Sequence, residues 1–414
     1  LGCGTNCALV VSDSFISDNE ADTAGGGISC RSSSSPEFIC SSIVSNSTGM
    51  GGGVVCSDTT SAEFSGCILG WNAATGSVGG AFYCDMSSQP AVHNTVIKYN
   101  NASSVGGGFD FHGQSAPVVA NCVIYGNHAD TAGGGMASYS TGAPDCRNSV
   151  IWSNTAFIDR QIRKVNQLSV SYSDVQGGWA GAGNINTNPA FTLRGFRLTS
   201  DSSCIDAGTS SGAPLTDIDG EARSGNPEMG IDEFVDTDSD GMPDLWEKAY
   251  FNNLSQFGTN DFDSDRLNNV TEYEWNTDPT SNIDTDGDGL SNDAEIYHKT
   301  NPDIWDTDGD LMSDGWEVEY GMDPLDDSDA SSDTDGDGLD AFDEMRYGTD
   351  PATNHTDGDS VSDYDEIING SDPADGDDNG DPDNCVSLEL VVGDWSSSNS
   401  ERYEMQVGSA TIHH

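Results

Sequence analysis

Acidic side chains recur at fixed intervals in the C-terminal third of this 414-residue chain. Between residues 236 and 366, one twelve-residue pattern occurs six times, with oxygen-bearing side chains at positions 1, 3, 5 and usually 9, and Glu at position 12. Carboxylates two residues apart in a tight loop converge on one point, and a Glu entering a helical turn can close the site with both oxygens. A set of oxygen ligands is typical of calcium rather than zinc or copper. The pattern therefore predicts about six calcium ions.

The six predicted loops are numbered in chain order. Loop 1 contains Asp236, Asp238, Asp240, Asp244 and Glu247, and loop 2 contains Asp261, Asp263, Asp265, Asn269 and Glu272. Loop 3 contains Asp284, Asp286, Asp288, Asn292 and Glu295, and loop 4 contains Asp306, Asp308, Asp310, Asp314 and Glu317. Loop 5 contains Asp333, Asp335, Asp337 and Glu344, and loop 6 contains Asp357, Asp359, Asp363 and Glu366.

Two of these loops, and a further acidic run, depart from the pattern. Loop 5 has Ala341 at position 9 and loop 6 has His355 at position 1, so both are expected to bind calcium more weakly or to recruit water or a backbone oxygen. The further run, Asp375, Asp377, Asn379 and Asp383, lacks the closing Glu and is the candidate for a seventh ion.

A second regularity shows that these loops belong to structural repeats. In five consecutive units a proline follows the closing Glu by seven residues, as from Glu344 to Pro351. A disordered acidic tail has no reason to keep such a period, whereas stacked units do. The segment Tyr347-Gly-Thr-Asp-Pro, followed by Asp-rich loops, resembles bacterial thrombospondin type-3 repeats over roughly residues 236–384. The resemblance implies calcium-dependent folding and an extracellular location.

The distribution of charge leads to the same expectation. Of the 70 acidic residues, 45 lie between residues 236 and 384, against four basic residues there. Like charges at these spacings repel strongly, so the segment needs counter-ions to stay compact. Calcium is therefore predicted to be structural. Nucleic acid is excluded as a partner, because binding phosphates needs Lys and Arg.

The first half of the chain also repeats, with a different unit. Glycine runs begin at Gly25, Gly51, Gly79, Gly106 and Gly133, a period of 26 to 28 residues. Counting each start as zero, coil position 3 is always a larger apolar residue, while coil positions 4 and 6 are mostly polar. This alternation is typical of a strand with one buried face. We expect a right-handed parallel β-helix, an all-β solenoid whose glycine corners adopt positive φ and whose coils stack ~4.8 Å apart.

An asparagine column runs through the same coils. It lies sixteen residues after coil position 5 and comprises Asn19, Asn46, Asn72, Asn100, Asn127 and Asn154. The column fits either a hydrogen-bonded ladder or a set of left-handed turn residues. Local preference favours the turn, because Asn is common in that conformation.

The eleven cysteines do not show the paired spacing of a zinc site. Residues 1–3 fall at coil positions 3 to 5 of the same repeat. The chain is therefore expected to begin in mid-coil, as a fragment of a longer chain. In that register Cys3 is a core residue rather than a lipoprotein anchor. Free core thiols and bridges within coils are equally compatible with the spacing; the candidate bridges are Cys30 with Cys40 and Cys56 with Cys67. Because eleven is an odd number, at least one cysteine is unpaired or paired with another chain. Cys385 is the candidate for that cysteine.

Residues 173–235 read as a closing segment. Cys204-Ile-Asp-Ala-Gly, Asp217-Ile-Asp-Gly and Gly230-Ile-Asp-Glu resemble the stretch that follows the last coils in bacterial extracellular right-handed β-helix proteins. We expect its apolar side chains to cover the open last coil and so to protect its strand edges. The side chains concerned are Trp179, Phe191, Phe196 and Leu198.

One cluster on the predicted β-helix has the composition of a catalytic site. Asp85, Asp110 and His112 lie on outward columns of adjacent coils, with Tyr83 and Tyr139 beside them to stack on a sugar. An ordinary solvent face explains these columns better, because other coils place Arg and Ser there. Paired-carboxylate sugar hydrolysis also needs two acids facing one cleft, and the outward columns offer no other such pair. We expect no enzymatic activity.

Residues 385–414 alternate as two strands of a sheet. A lone hairpin is marginal in water, so further strands are expected from later sequence or from a neighbouring subunit by strand addition.

The predicted domains are β-helix coils at 1–172, a cap at 173–235, an elongated calcium-repeat rod with short helical turns at 236–384 and a partial β domain at 385–414.

Together these features predict a non-catalytic, calcium-stiffened bacterial protein of the extracellular space or cell surface. We expect a subunit that self-associates into a filament or surface layer. The alternatives are a secreted polysaccharide lyase or hydrolase using Asp85, Asp110 and His112, and a monomeric adhesin that binds glycans.

No run of 18 apolar residues occurs, so no membrane span is expected. Asn-x-Ser/Thr sequences at six positions, including Asn46, Asn101 and Asn269, could carry glycans.

Overall fold

The computed structural model describes residues 1–192, 195–223, 225–369, 371–374 and 376. The described residues form two compact units: Leu1–Ile283 with Ser291–Tyr297, and Asp284–Leu290 with the described residues from His298 to residue 376. The seventh acidic run, Cys385 and the two strands predicted within 385–414 lie outside the described residues.

The N-terminal region is a parallel β-solenoid of about six turns, as the sequence predicts. Successive coils contribute one short strand each to four parallel sheets. Sheet 1 contains Gly2–Cys3, Ile28–Cys30, Val54–Cys56, Phe82–Cys84, Phe109–Phe111, Met136–Ser138 and Ile162–Lys164. Sheet 2 contains Val10–Ser12, Glu37–Ile39, Glu63–Ser65, Ala91–His93, Val118–Ala120, Asp145–Arg147 and Ser169–Ser171. Sheet 3 contains Phe15–Ser17, Ser42–Val44, Ile68–Gly70, Val96–Lys98, Val123–Tyr125, Val150–Trp152 and Asp174–Val175. Sheet 4 contains Glu20–Ala21, Ser47–Thr48, Ala73–Ala74, Asn101–Ala102, His128–Ala132 and Thr155–Ile158.

The solenoid core consists of columns of like side chains. Coil positions 3 and 5 are buried in every glycine-started coil, including Phe82, Phe109 and Cys84, each at 0% exposure. The five corner glycines that start the coils have φ between 65° and 70°, as expected. Cys3 pairs in register with Cys30, which places it in the core. All ten cysteines among the described residues carry free thiols.

The asparagine column is a hydrogen-bonded ladder, so the turn interpretation is wrong. The Asn100 side-chain oxygen accepts from the backbone N–H and the side-chain amide of Asn72, both at 2.9 Å. The Asn100 amide donates in turn to Asn127, at 2.8 Å, and to the Leu69 carbonyl, at 2.9 Å. The left-handed residue is the one before each Asn, for example Tyr99. The ladder satisfies polar groups that would otherwise be buried without partners.

Coil position 4 is not the solvent face that alternation suggested. In four of the five glycine-started coils this column holds Val55, Tyr83, Asp110 and Ala137, each at most 8% exposed, while Ser29 in the first of them is half-buried. The glycine corners fold back over it: a Cβ atom on Gly106 would lie 2.6 Å from the Asp110 Cβ. Close approach of the corner backbone therefore buries the column, which period-two alternation alone does not show.

The cap packs differently from the prediction in one respect. Trp179 packs against the solenoid core, as expected of a residue near its end. Leu198, with Phe191 and Phe196, instead forms a second core on the outer face of sheet 3, against a valine column. That column comprises Val96, Val123 and Val150. The cap thus covers a side of the solenoid, because the outward positions of sheet 3 are apolar in these coils.

A buried carboxyl pair in the cap leads to a pH-dependent prediction. Glu228 and Glu233 are each 3% exposed, and Arg223 pairs with Glu233 at 2.5 Å. Burial, and then the adjacent Glu233 carboxylate, raises the pKa of Glu228 to about 9. Above its usual pKa, near 4.5, the unfolded chain releases a proton that the folded chain keeps. This group therefore lowers the free energy of unfolding as pH rises from about 4.5 to about 9.

Glu228→Gln is expected to raise the melting temperature of the full chain by several degrees at pH 8, with little change at pH 4.5, because glutamine cannot ionise. Thermal unfolding of the variant and the wild type in the same calcium buffer would measure this. Both proteins contain the same calcium loops, so the contribution of these loops cancels in the difference between the two melting temperatures. A difference in melting temperature that stays constant across the pH range would contradict the raised pKa of Glu228.

Among the residues that the structure describes, six short helices follow the cap. They are α1 (Asp244–Phe251), α2 (Asn269–Trp275), α3 (Asn292–His298), α4 (Asp314–Tyr320), α5 (Ala341–Tyr347) and α6 (Asp363–Asn369), with a 3₁₀ turn at Asp329–Ser331. Side-chain caps at Asn268, Ser313 and Asp340 accept from the first turns of α2, α4 and α5. Left-handed Gly321 and Gly348 end α4 and α5. Among the described residues, no helix combines the length and hydropathy needed to cross a bilayer.

Candidate metal centres

The position-1 aspartates organise the loop backbone. In loop 1 the Asp236 carboxylate accepts from the N–H groups of Ser239, at 2.7 Å, and Gly241, at 3.0 Å. Equivalent bonds to the residue three positions later recur in loops 2 to 5. These bonds curl each loop, and the carboxylate oxygens of positions 1, 3 and 5 lie within 4.8 Å of one another in loops 1, 2 and 3. The loops thus bring together the three ligands that the sequence predicts.

Each helix supplies the other two predicted positions. Position 9 is the first residue of every helix from α1 to α6, and position 12 is the fourth. Residues three apart on a helix share one face, so the two side chains lie on the same side of the helix. The helix start is therefore set by the same pattern that sets the ligands.

The closing glutamates are among the most buried acids of this region. All six position-12 residues are 0% exposed. In Glu247, Glu272, Glu317 and Glu344, neither carboxylate oxygen has a hydrogen-bond partner. Burial, and then the position-3 and position-5 carboxylates of the same loop, raises the pKa of Glu272 and of Glu317 to about 9. A buried carboxylate without a partner is costly unless a cation or proton compensates it.

The position-3 aspartates complete this set of unsatisfied oxygens. In loops 2 to 6 at least one of their carboxylate oxygens is buried and has no hydrogen-bond partner; the residues are Asp263, Asp286, Asp308, Asp335 and Asp357. The unsatisfied oxygens of positions 3 and 12, together with the carboxylates that the curled loop brings close, fit a hard cation of the size and charge of calcium, which prefers oxygen ligands. Bound there, calcium would supply the positive charge that the buried acids need.

The position-5 aspartates have a role that the sequence did not indicate. One oxygen of Asp265 accepts within its own loop, from Leu267 at 2.8 Å, and the other accepts from the Ser291 hydroxyl of the next repeat at 2.6 Å. Asp337 likewise accepts from the Tyr364 N–H, at 3.1 Å. Corresponding bonds join Asp240 to Gly258 and Asp288 to Gly315. A predicted ligand thus also connects one repeat to the next.

Position 9 is engaged by the loop itself in at least three of the described repeats. Both oxygens of Asp314 accept from Thr307, one from its N–H at 2.8 Å and one from its hydroxyl at 2.7 Å. The same arrangement holds Asp244 to Thr237 and Asp363 to Thr356. In these loops position 9 stabilises the turn in addition to any contact with a cation. Asn269 differs, because its side-chain oxygen is buried without a partner.

Loop 6 replaces the position-1 carboxylate with other groups. The His355 carbonyl accepts from the Gly358 N–H at 3.1 Å, and its ring contacts the Val361 carbonyl. The loop therefore curls without an acid at position 1. The predicted ligand set at this loop is one carboxylate smaller, consistent with the expectation of weaker binding.

Sequence reasoning missed one acid beside loop 4. Asp329 lies in a five-residue extension between loops 4 and 5 and accepts from the Asp323 N–H at 3.0 Å, while its other oxygen is buried without a partner. Its charge contributes to the raised pKa values of Asp308, Asp310 and Glu317. Only the changed spacing from loop 4 to loop 5, 27 residues against 22 from loop 3 to loop 4, marked this segment in the sequence.

Comparison with known families identifies these repeats. A family model described as bacterial TSP3 repeat matches residues 284–302, 306–327, 333–353 and 356–376. These four segments are bacterial TSP3 repeats. TSP3 repeats bind calcium, so the resemblance seen in the sequence is confirmed over this range. The matched TSP3 repeats contain loops 3 to 6, and loops 1 and 2 share the same carboxylate geometry outside them. No curated protein and no solved structure matches the chain.

The cluster on the solenoid forms a closed pair rather than an open acid site. His112 lies 2.9 Å from the Asp110 carboxylate, whose side chain is 0% exposed, whereas the His112 side chain is 34% exposed. The pairing with Asp110 raises the pKa of His112. Tyr83 donates to Asp85 at 3.2 Å. Tyr139 stacks on the His112 ring at 5.0 Å.

Proposed function

We propose that this chain is a non-catalytic structural protein of the extracellular space or cell surface, held in its folded form by calcium. The observation that carries the proposal is the set of closing glutamates, fully buried and facing further carboxylates. Loops of this kind bind calcium at about 10⁻⁴–10⁻³ M in extracellular modules. Such affinities suit a compartment in which calcium is millimolar.

The proposal extends to self-association as a subunit of a bacterial filament or surface layer. Its support is in the sequence: residues 385–414 show the alternation expected of two strands, which would need partner strands, and the cysteine count is odd. Strand addition between subunits would supply those partners. The monomeric adhesin is the alternative without assembly.

Electron microscopy of the full chain tests this assembly. We expect regular fibres or sheets in millimolar calcium that disperse after chelation and reform when calcium is restored. Magnesium at the same concentration serves as the control for divalent charge. Dispersed single particles in every condition would contradict self-association while leaving the calcium-dependent fold to be measured separately.

Catalysis by the solenoid cluster is the rival function. Asp110 is completely buried, so it is suited to orienting His112 rather than to contacting a substrate. We therefore expect His112→Ala to leave any polysaccharide cleavage by the purified chain unchanged, at the level of a no-enzyme blank. Release of reducing ends or unsaturated sugars by the wild type, lost in His112→Ala, would overturn the non-catalytic assignment.

A further inference from the structure

Two large aromatic residues occupy an unusual place at the end of sheet 3. The residue that follows each of the first six sheet-3 strands has positive φ, and it is Asp18, Ser45, Gly126 or Ser153 in four coils. In the two coils between them it is Trp71, with φ of 53°, and Tyr99, with φ of 55°. Bulky residues are rare in this conformation, and local strain of this kind concentrates at functional sites.

Both rings face solvent and are held in place. Trp71 is 53% exposed and Tyr99 is 44% exposed, with ring centroids 5.5 Å apart and planes tilted by 32°. Glycine in the next coil makes room for the second ring: a Cβ atom on Gly126 would lie 2.6 Å from a Tyr99 ring carbon. The two rings therefore form a short, fixed platform, the Trp71–Tyr99 platform, on the side of the solenoid.

A cation lies beside this platform. The Lys98 ammonium is 4.9 Å from the centre of the Trp71 ring and 5.6 Å from that of Phe196. It has no ion pair with any carboxylate in the part of the chain that the structure describes. Arg31, Arg160 and Lys164 also have no ion pair among the described residues, so the feature that distinguishes Lys98 is its position beside the Trp71 and Phe196 rings.

The platform continues into a groove of about 270 Å³. Its walls include Tyr99, Tyr125, Trp152 and Phe191, and Asn188 adds a polar amide. Aromatic walls with a few placed polar groups are typical of ligand sites. The strands beneath are hydrogen-bonded on both sides within sheet 3, so this face offers no free edge for an added peptide strand.

We propose that the Trp71–Tyr99 platform and the adjoining groove bind a glycan whose sugars carry carboxylates, such as a uronic acid oligomer. The C–H face of a pyranose ring is attracted to the negative face of an aromatic ring, and two rings 5.5 Å apart offer stacking to successive sugars. Lys98, which lies beside the two rings, pairs with the sugar carboxylate. This glycan binding does not depend on the proposed self-association, and it does not involve the calcium loops.

The chain itself supplies well-matched variants for the test. Trp71→Ser and Tyr99→Ser introduce the residue that other coils, at Ser45 and Ser153, already carry in the same conformation. Lys98→Met keeps the apolar stem and removes the charge. Phe157→Ser is the control, because Phe157 is an 87% exposed aromatic residue on the same solenoid, in sheet 4 rather than sheet 3.

Isothermal titration of the full chain, in one calcium buffer, would use a uronic acid tetramer and its carboxyl-reduced neutral counterpart. We expect the wild type to prefer the acidic tetramer, the serine variants to bind it at least tenfold more weakly and Phe157→Ser to bind like the wild type. Lys98→Met should bind both tetramers equally. No measurable binding of the acidic tetramer, equal binding of both tetramers by the wild type, or an equal loss in Phe157→Ser would each overturn the proposal.

Discussion

Removal of calcium is expected to unfold the region from Asp236 to Asn369 while the solenoid stays folded. The closing glutamates are fully buried and face other carboxylates, so without a cation each must take up a proton or become exposed to water. Holding those protons at neutral pH costs free energy relative to the unfolded chain, whose glutamates ionise near pH 4.5, so loss of the short helices is the expected response of a segment so rich in acids. The solenoid depends on its apolar columns and asparagine ladder.

The size of this effect comes from its repetition. At millimolar calcium, one ion bound with an affinity of 10⁻⁴–10⁻³ M contributes only about 1 kcal/mol to the free energy of unfolding. The position-5 aspartates join successive repeats, as Asp265 joins Ser291 and Asp337 joins Tyr364. The repeats are therefore expected to unfold together rather than one at a time.

Limited proteolysis read by mass spectrometry, together with far-ultraviolet circular dichroism, measures this directly. After chelation we expect loss of helical signal and cleavage sites confined to residues 236–369, with protection of residues 1–175. Restoring calcium should restore both, and magnesium alone should not. Unchanged protection of the loops in chelator would show that calcium does not hold this region.

The second large effect is expected in the asparagine ladder, where Asn100→Ala should lower the free energy of unfolding of the solenoid by about 3–5 kcal/mol. The substitution removes the acceptor of the Asn72 N–H and side-chain amide, and also the donor to the Leu69 carbonyl. Each buried polar group left without a partner costs about 1–3 kcal/mol. The neighbouring rungs cannot move to compensate, because each is fixed by its own coil.

Asn101→Ala is the matched control for this prediction. Asn101 is adjacent in sequence and exposed, so its replacement should change stability by less than about 0.5 kcal/mol. Denaturant unfolding in saturating calcium, followed by a signal from the solenoid, would compare the two. Equal stability of the Asn100 and Asn101 variants would mean that the ladder carries little of the solenoid's stability.

The sequence predicted those features that repeat with a strict period. Glycine corners, buried coil positions and the calcium loops each recur in register, and a stacked repeat leaves one arrangement that satisfies them all. The asparagine column was assigned wrongly because Asn suits both a turn and a ladder. The left-handed residue is the one before it, as at Tyr99 and Asn100, and no local preference distinguishes neighbouring positions.

Other features could not be predicted because they depend on contacts between distant segments. Asp110 is polar and lies in an alternating strand, yet the corner at Gly106 covers it. Leu198 is apolar, but only the fold shows that it packs on the valine column of sheet 3 rather than on the open coil. Asp265 matched the ligand pattern, which gave no sign of its bond to Ser291. The sequons at Asn46 and Asn269 matched a glycosylation pattern, yet both side chains are 0% exposed, which leaves them inaccessible in the folded chain.

The most direct test of the calcium account is the number of ions that the chain binds. Equilibrium dialysis of the full chain against radioactive calcium, at concentrations from micromolar to several millimolar, would give both the number and the affinity. We predict about six ions per chain, released together on chelation with the loss of helical signal. Binding of no ion, or of a single ion, with the loops intact would contradict a fold built on calcium.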